Sequence, residues 1–216
     1  MHPLIEKVLT YSNHRAGPEG SISVTRLIGP AYQAKLHLEG RAKTHKVPAI
    51  NRRGSCLGSG FHLYCEEALK DDRNVMQEIY SEKTYEDQLI TGICDLMIRE
   101  EDTYRVGDWK TGVATKFDED HLEKAKLQLS LYRWMLTSVY PQEFQLEGDV
   151  FYISTSRNVA EHYELDLLTD TQVENYISSK LYLIQNTVVP DCEKFMCGYC
   201  EFDCEHRRTE KSSKGE

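Results

Sequence analysis

Residues 92–110 read GICDLMIREEDTYRVGDWK, and the predicted fold is organised around this stretch. Two apolar runs flank an acidic turn, as expected of two strands joined in a hairpin. The first run carries Asp95, and the second carries Asp108 and Lys110. Alternate side chains of a strand share a face, so Asp108 and Lys110 project together and the hairpin brings Asp95 to join them. Carboxylates bind hard cations such as Mg²⁺ and Mn²⁺, and a neighbouring lysine can orient a water that attacks phosphorus. The stretch therefore suggests metal-assisted phosphodiester hydrolysis.

Composition indicates one globular domain. The chain has 216 residues, of which 40% are apolar and 28% are charged, values ordinary for a folded domain. No run of 18 apolar residues occurs, and the start lacks a signal-peptide core, so we expect a cytoplasmic protein (host cytoplasm if viral) with no membrane partner. The expected layout is a single domain over residues 1–208, comprising a basic helical segment 1–60, a core 61–187 and a Cys-rich tail 188–208, followed by a disordered tail 209–216.

Charge is distributed unevenly along the chain. Residues 1–60 contain nine Lys or Arg and three acids, a balance of +6, so the net charge of −9 leaves −15 for the other 156 residues. A basic segment on an acidic body can form a phosphate-binding surface, and the competing interpretation is an ordinary solvated surface. Arg26, Arg52 and Arg53 are the residues of this segment that we expect to contact DNA.

Apolar periodicity and capping residues predict an α/β fold, with a central mixed β-sheet flanked by helices. The predicted elements are helices 4–11 and 23–38 (the second begun or broken at Pro30), a basic loop 40–59, helix 60–69, strand 74–86, the hairpin, a helix from Asp118 ended by Pro141, strands 148–154 and 161–167, and a last helix capped by Thr169 or Asp170.

Several motifs recur in a fixed order. They are the Gly-led segment 58–62 that ends in His62, the strand 92–95, the Asp108–Lys110 pair, and Gln128 with Tyr132 one helical turn later. This set, over roughly residues 23–204, resembles the RecB-like branch of the PD-(D/E)XK nucleases. The resemblance extends to its bacteriophage-type members and to the nuclease domains of CRISPR adaptation and of RecB and AddB. It implies a restriction-endonuclease-like core.

The resemblance also implies roles for residues. His62, Asp95, Asp108 and the backbone carbonyl of Trp109 would bind Mg²⁺ or Mn²⁺, Lys110 would be the catalytic lysine, and Gln128 and Tyr132 would brace the site or touch the DNA backbone. Glu66 lies outside the family motif, but its position one helical turn from His62 makes it a candidate to support the ligands from behind.

Simpler interpretations compete with these roles. A lone histidine such as His62 is usually a hydrogen-bonded core residue, and Asp108 with Lys110 could form a surface salt bridge. Asp95 is harder to explain without a cation, because burying an unpaired carboxylate in an apolar strand costs several kcal/mol.

The C-terminal tail is rich in cysteine. Cys197, Cys200 and Cys204 form a C-x2-C-x3-C cluster, with Cys192 upstream and His206 downstream. The resemblance implies a [4Fe–4S] cluster with three C-terminal cysteines and one from the N-terminal region. The helix 23–38 has no cysteine, so the fourth ligand would be Cys56, Cys65 or Cys192. Ligand spacing alone is also compatible with zinc bound with the help of Cys192 or His206, and with thiols that bind no metal.

The leading hypothesis is a Mg²⁺- or Mn²⁺-dependent deoxyribonuclease, most simply an exonuclease acting on single strands or duplex ends in DNA replication, recombination or repair. No appended sequence-reading module is evident, which favours exonuclease action over site-specific cutting. Expected partners are DNA, a helicase, recombinase or single-strand-binding protein, and further copies of the chain in a homo-oligomer. Two rival hypotheses are a non-catalytic nucleic-acid-binding protein on a nuclease-like scaffold, and a zinc or iron–sulphur interaction module. RNA as the substrate stays open.

Overall fold

A computed structural model of the chain describes residues 3–10, 17–41, 43, 47–113, 117–140, 142–188, 191 and 200–202. The helices are α1 (Pro3–Thr10), α2 (Val24–Leu27), α3 (Ala31–Leu38), α4 (Arg53–Leu69), α5 (Glu119–Leu136) and α6 (Asp170–Asn186), with a short 3₁₀ turn at Ala49–Arg52. The strands are β1 (Ile22–Ser23), β2 (Val75–Tyr85), β3 (Gln88–Glu100), β4 (Thr103–Gly112), β5 (Glu143–Ser154) and β6 (Ala160–Asp166).

The six strands form one mixed sheet, which confirms the predicted fold class. β2, β3 and β4 form an antiparallel meander, β4 then pairs in parallel with β5, and β6 returns antiparallel to β5. The short β1 pairs in parallel with β3. Parallel β4 and β5 need a crossover, and α5 supplies it.

Helix α5 lies at the centre of the core. Asp118 caps its first turn by accepting a hydrogen bond from the His121 N–H, as the acidic start of the helix predicted. Every residue from Gln128 to Leu136 is buried, because the sheet covers one side of this half of the helix and α2 and α6 pack against it. The helix ends at Leu136, ahead of the predicted end at Pro141. Residues presented by α5 toward the sheet therefore have fixed positions.

The predicted helix 23–38 is two helices in the structure. Ser23 accepts a hydrogen bond from the Arg26 N–H and caps α2, which ends at Leu27. Pro30 interrupts the chain because it lacks an N–H and disfavours helical geometry in the residue before it, and α3 starts directly after it. The prediction of a break at Pro30 is confirmed, while that of one continuous helix is wrong.

The predicted loop 40–59 is partly wrong, because α4 begins at Arg53 rather than at residue 60. Its glycines and serines are poor helix formers, so local propensity favoured a loop. Packing overrides that propensity: the Phe61 ring meets the Trp109 ring of β4 edge-on, with centroids 5.8 Å apart, and Cys65 is buried.

The last helix follows the prediction closely. Thr169 and Gln172 form a reciprocal capping box at the start of α6, and α6 buries Val173, Ile177, Leu181 and Ile184. Within the part of the chain that the structure describes, no helix is long and apolar enough to cross a membrane.

Candidate active site

The site lies where the sheet forks. β2 occupies one edge of β3 along almost its whole length, so β1 and β4 must share the other edge. On that edge β1 pairs with residues 90–91 of β3 and β4 pairs with residues 96–100. Among the strands that the structure describes, none pairs with residues 92–95 on this edge. Asp95 lies in this gap, next to the point at which β4 leaves β3. Continuing the register of Leu96 with Gly107 by one residue places Asp95 opposite Asp108.

Asp108 and Lys110 project together from β4, as the alternation predicted. The Lys110 Nζ lies 2.6 Å from the Asp108 Oδ2 and donates to the Gln128 Oε1 at 3.2 Å. The Asp108 side chain is 1% exposed, whereas that of Lys110 is 29% exposed. The amine therefore stands at the mouth of the site with its direction set by a carboxylate and an amide.

Gln128 and Tyr132 complete this network from α5. The Gln128 Nε2 donates to the Asp108 Oδ1 at 3.3 Å and to the Tyr132 hydroxyl at 3.1 Å. Burial, with the Asp108 charge adding to it, raises the pKa of Tyr132 well above its usual range, so the hydroxyl stays neutral. The one-turn spacing read from the sequence places both groups on the side of α5 that faces β4.

Gly92 is the residue that lets α5 approach so closely. A Cβ at this position would lie 2.6 Å from the Tyr132 Cε1, 3.0 Å from the Met135 Cε and 3.1 Å from the Val24 Cγ2. Side chains in a packed core have no room for such contacts. The close packing of α5 at the site therefore requires a glycine at position 92, the first residue of the 92–110 stretch.

Asp95 is held by the backbone of β4. Its Oδ2 accepts a hydrogen bond from the Trp109 N–H at 2.9 Å, and its side chain is 12% exposed. Burial and the nearby Asp108 carboxylate raise the pKa of Asp95 to about 7, against the lowering effect of His62, the Trp109 N–H and Lys110. Its negative charge is thus costly in the absence of a cation.

His62 reaches the same place from α4. Its Nδ1 lies 3.7 Å from the Asp95 Oδ2 and 3.6 Å from the Glu78 Oε1. Glu78 is the main cause that raises the pKa of His62, burial opposes it, and Asp95 and Asp108 add to the rise. At 3.6 Å the contact with Glu78 is slightly long for a hydrogen bond, so we treat it as an attraction between charges.

Glu78 is the residue that the sequence reasoning missed. It lies within β2 at a backbone φ of +50°, a conformation that costs a non-glycine residue on the order of 1–3 kcal/mol. The register of β2 with β3 pairs Gln77 with Leu96 and Ile79 with Cys94, which sets Glu78 opposite Asp95. The sequence contained a signal for this pairing. A two-residue turn between Tyr85 and Gln88 fixes the register of the β2–β3 hairpin, and extending that register along both strands pairs Glu78 with Asp95.

The donor set fits a hard or borderline divalent cation. Donor atoms of His62, Glu78 and Asp95 all lie within 4.8 Å of one another. The buried Asp108 Oδ2 accepts no hydrogen bond of acceptable geometry from the described residues, although the Lys110 ammonium is paired with it by charge. Two carboxylates and an imidazole are suitable ligands for Mn²⁺. The structure thus groups the predicted His62 and Asp95 with Glu78, and Asp108 lies near this group, where its charge acts on both His62 and Asp95.

No contact among the described residues supports two of the predicted roles. Trp109 meets Asp95 through its N–H, and the predicted role of its carbonyl as a ligand stays a prediction. The Glu66 side chain is half-buried and forms no hydrogen bond or ion pair with the described residues, while the Glu66 carbonyl accepts from the Gln77 Nε2 at 3.0 Å. Its support of the ligands likewise stays a prediction.

The basic segment meets the C-terminal part of the chain. The Arg52 Nη2 lies 3.4 Å from the Glu201 Oε1, and the Arg26 Nη1 lies 3.4 Å from the His37 Nε2. Arg53 is exposed at the start of α4. The expected DNA contacts of Arg26, Arg52 and Arg53 stay predictions. Of the three side chains, that of Arg53 has the fewest contacts with the described residues.

The predicted cysteine ligands are only partly described. Cys200 is buried against α3 together with Leu36 and Phe202, and Cys56 is half-buried on α4. Cys94 is fully buried in β3, as expected of a small apolar residue. Cys192, Cys197, Cys204 and His206 lie outside the described residues.

Comparison with known proteins identifies the class. Residues 32–204 match the pattern of the PD-(D/E)XK nuclease superfamily, and the chain belongs to that superfamily. Its members are nucleases that use divalent metals. The narrower predicted placement, in the RecB-like and bacteriophage-type branch, stays a prediction.

A solved structure shares the fold, and two further ones show weaker similarity. SSO0001 superposes with a TM-score of 0.63 at 23% identity, covering 94% of this chain and 95% of that one. A candidate exonuclease from Eubacterium rectale gives 0.48 at 13% identity, covering 88% of each chain. An alkaline exonuclease from Laribacter hongkongensis gives 0.44 at 10% identity, covering 91% of this chain and 94% of that one. No curated protein sequence matches the chain significantly.

Proposed function

We propose that the protein is a Mg²⁺- or Mn²⁺-dependent deoxyribonuclease that hydrolyses phosphodiester bonds, most simply as an exonuclease on linear DNA. The observation that carries the proposal is the pairing of Lys110 with the buried Asp108 beside Asp95, at the fork of a nuclease-superfamily sheet. An isolated surface salt bridge does not need a carboxylate that is 1% exposed and bound by Gln128.

Each side chain has a definable task in this reaction. A cation held by Asp95, Asp108 and His62 would polarise a phosphoryl oxygen and acidify a bound water. Asp108 and Gln128 hold the Lys110 ammonium toward the solvent side, where it can orient the attacking water and stabilise charge that builds on phosphorus. The Trp109 N–H fixes the Asp95 oxygen, and Tyr132 fixes Gln128 from behind.

Substrate approach is proposed along the basic N-terminal segment. Arg53 is exposed at the first residue of α4, and His62 lies further along the same helix, so α4 leads from an exposed basic side chain to the site. Phosphates are attracted by such charge without sequence preference, which suits an enzyme that degrades strands from their ends. Action in replication, recombination or repair, with a helicase, recombinase or single-strand-binding partner, belongs to the same proposal, as does assembly into a homo-oligomer.

The test is cleavage of end-labelled linear DNA in Mn²⁺ by the wild type, Asp108→Ala and Lys110→Ala, with Glu86→Gln as a remote exposed control. We expect cleavage by the wild type and the control, and a loss of about 100-fold or more in the two site variants. Equal activity in all four proteins would refute the assignment. A covalently closed circular substrate separates exonuclease action, which it resists, from endonuclease action.

The cysteine-rich tail is proposed to bind a [4Fe–4S] cluster, in competition with zinc binding and with thiols that bind no metal. Cys200 and Asp191 both pack on α3, so the C-terminal region already contacts the N-terminal helices. A brown protein with absorbance near 400 nm is the outcome that supports the cluster. A colourless protein that contains zinc supports the zinc site instead.

A further inference from the structure

Strand β2 contributes a carboxylate to the fork that none of the sequence motifs includes. Glu78 faces Asp95 across the β2–β3 register, and its Oε1 lies 3.6 Å from the His62 Nδ1. Its side chain is 38% exposed, so solvent and ions reach it. Glu78 is therefore an accessible acid at the rim, whereas Asp95 and Asp108 are the buried acids of the same cluster.

Two of the three separations between the donor atoms suit a shared cation, and the third is within 4.8 Å. Atoms that each bind Mg²⁺ at about 2.1 Å are at most about 4.2 Å apart. The His62 Nδ1 meets this limit with both neighbours, at 3.6 Å from the Glu78 Oε1 and 3.7 Å from the Asp95 Oδ2. These three residues come from α4, β2 and β3, so three independent elements present donors to one point.

The backbone of Glu78 is held in an unusual state at this point. Among the described non-glycine residues, a positive φ occurs at Glu78, Glu86 and Glu101. Glu86 and Glu101 lie in the turns between strands, where such a φ is common, but Glu78 lies inside a strand. The only ion pair of the Glu78 side chain with the described residues is to His62. Contacts with the protein therefore offset little of the free-energy cost of that backbone conformation.

We infer that Glu78 is a ligand of the divalent cation, together with His62 and Asp95. The inference rests on the proposed nuclease function and extends its metal site to β2. An imidazole in the set favours Mn²⁺ over Mg²⁺, since nitrogen donors suit the transition metal better. Asp95 then stands between the pair His62 and Glu78 on one side and Asp108 on the other.

The experiment is a calorimetric titration of the full-length protein with Mn²⁺ alone, without nucleic acid. Glu78→Gln keeps the size of the side chain and removes the charge, and Glu78→Asn keeps tolerance of a positive φ while shortening the reach. We expect both variants to bind Mn²⁺ about tenfold more weakly or worse. Glu86→Gln, with the same residue type and the same φ in a turn, is the matched control and should bind within about twofold of the wild type.

Weakened Mn²⁺ affinity in both Glu78 variants, with near-wild-type affinity in Glu86→Gln, supports the inference. Wild-type affinity in both Glu78 variants overturns it. A thermal melt of each variant shows that a loss of binding is measured on folded protein.

Failure of the inference and failure of the proposed function have different signatures. If the wild type cleaves DNA in Mn²⁺ but the Glu78 variants bind Mn²⁺ normally, the function stands and the ligand assignment is overturned. If the Glu78 variants lose Mn²⁺ but the wild type cleaves no DNA, the ligand assignment stands and the nuclease proposal is overturned.

Discussion

Gly92→Ala tests the contact that holds the catalytic network in place. The added methyl would lie 2.6 Å from the Tyr132 Cε1, with Met135 and Val24 atoms at 3.0 and 3.1 Å. Tyr132 is 3% exposed and Met135 is 0% exposed, so neither can move into solvent. Overpacking of this kind costs about 1–3 kcal/mol. Because three neighbours are affected, we expect the upper half of that range, a fall in melting temperature of roughly 4–12 °C for a chain of this size.

The same substitution should also reduce DNA cleavage. Displacement of the Tyr132 ring moves the hydroxyl that binds Gln128, and Gln128 directs Lys110. A misplacement near 1 Å can cost about 100-fold in rate, so we expect a loss of about 10- to 100-fold at saturating Mn²⁺.

Gly60→Ala is the matched control for this experiment. Gly60 lies inside α4, and among the described residues no atom outside the adjacent helix backbone lies within 4 Å of a Cβ built there. Alanine there should stabilise the protein by roughly 0.5–1 kcal/mol through helix propensity. The measurements are differential scanning calorimetry and initial cleavage rates. Melting temperatures that fail to fall in Gly92→Ala would refute the close approach of Tyr132 and the positioning role that depends on it.

Three further predictions follow from the contacts. Gln128→Leu should reduce cleavage by about 10- to 100-fold and leave Mn²⁺ affinity, measured by calorimetry, nearly unchanged, since it frees Lys110 but removes no metal ligand; a parallel loss of affinity would contradict this. Because the pKa of Asp95 is raised, its contribution to stability is complete below about pH 4 and is lost as the pH rises through about 7. The melting temperature of the metal-free protein should therefore fall over that interval, and Mn²⁺ should reverse the fall. A fall of the same size in Asp95→Asn would contradict the assignment of this pH dependence to Asp95. Asp191→Ala removes the carboxylate that accepts the Ala31 and Tyr32 N–H groups at 2.8 and 3.0 Å, so unfolding in denaturant should show a loss of about 1 kcal/mol, and an unchanged midpoint would show that α3 does not need this cap.

The hairpin and the central helix could be predicted from sequence because their signals are local. Alternation around Asp95 and Asp108 defines two strands, and the four-residue spacing of Gln128 and Tyr132 needs only a helix. The capping box at Thr169 likewise depends on residues three apart. In these cases the pattern that forms the element also places its functional side chain.

The rest depended on packing between distant segments. α4 starts at Arg53 despite glycines in its first turns, because Phe61 and Cys65 pack against the sheet. Glu78 was not singled out within the predicted strand 74–86, because alternation gives a face but not a partner. Its register with Asp95 comes from the turn and from β3. The fork itself requires β1, a strand of two residues, which is too short to recognise from sequence.

The most direct test of the metal-dependent site is anomalous diffraction from crystals of the protein soaked in Mn²⁺. We predict a Mn²⁺ peak at the fork within bonding distance of Asp95, with His62, Glu78 and Asp108 carboxylate or imidazole atoms around it. An empty fork at saturating Mn²⁺, in crystals that bind the ion elsewhere, would contradict the proposed metal site.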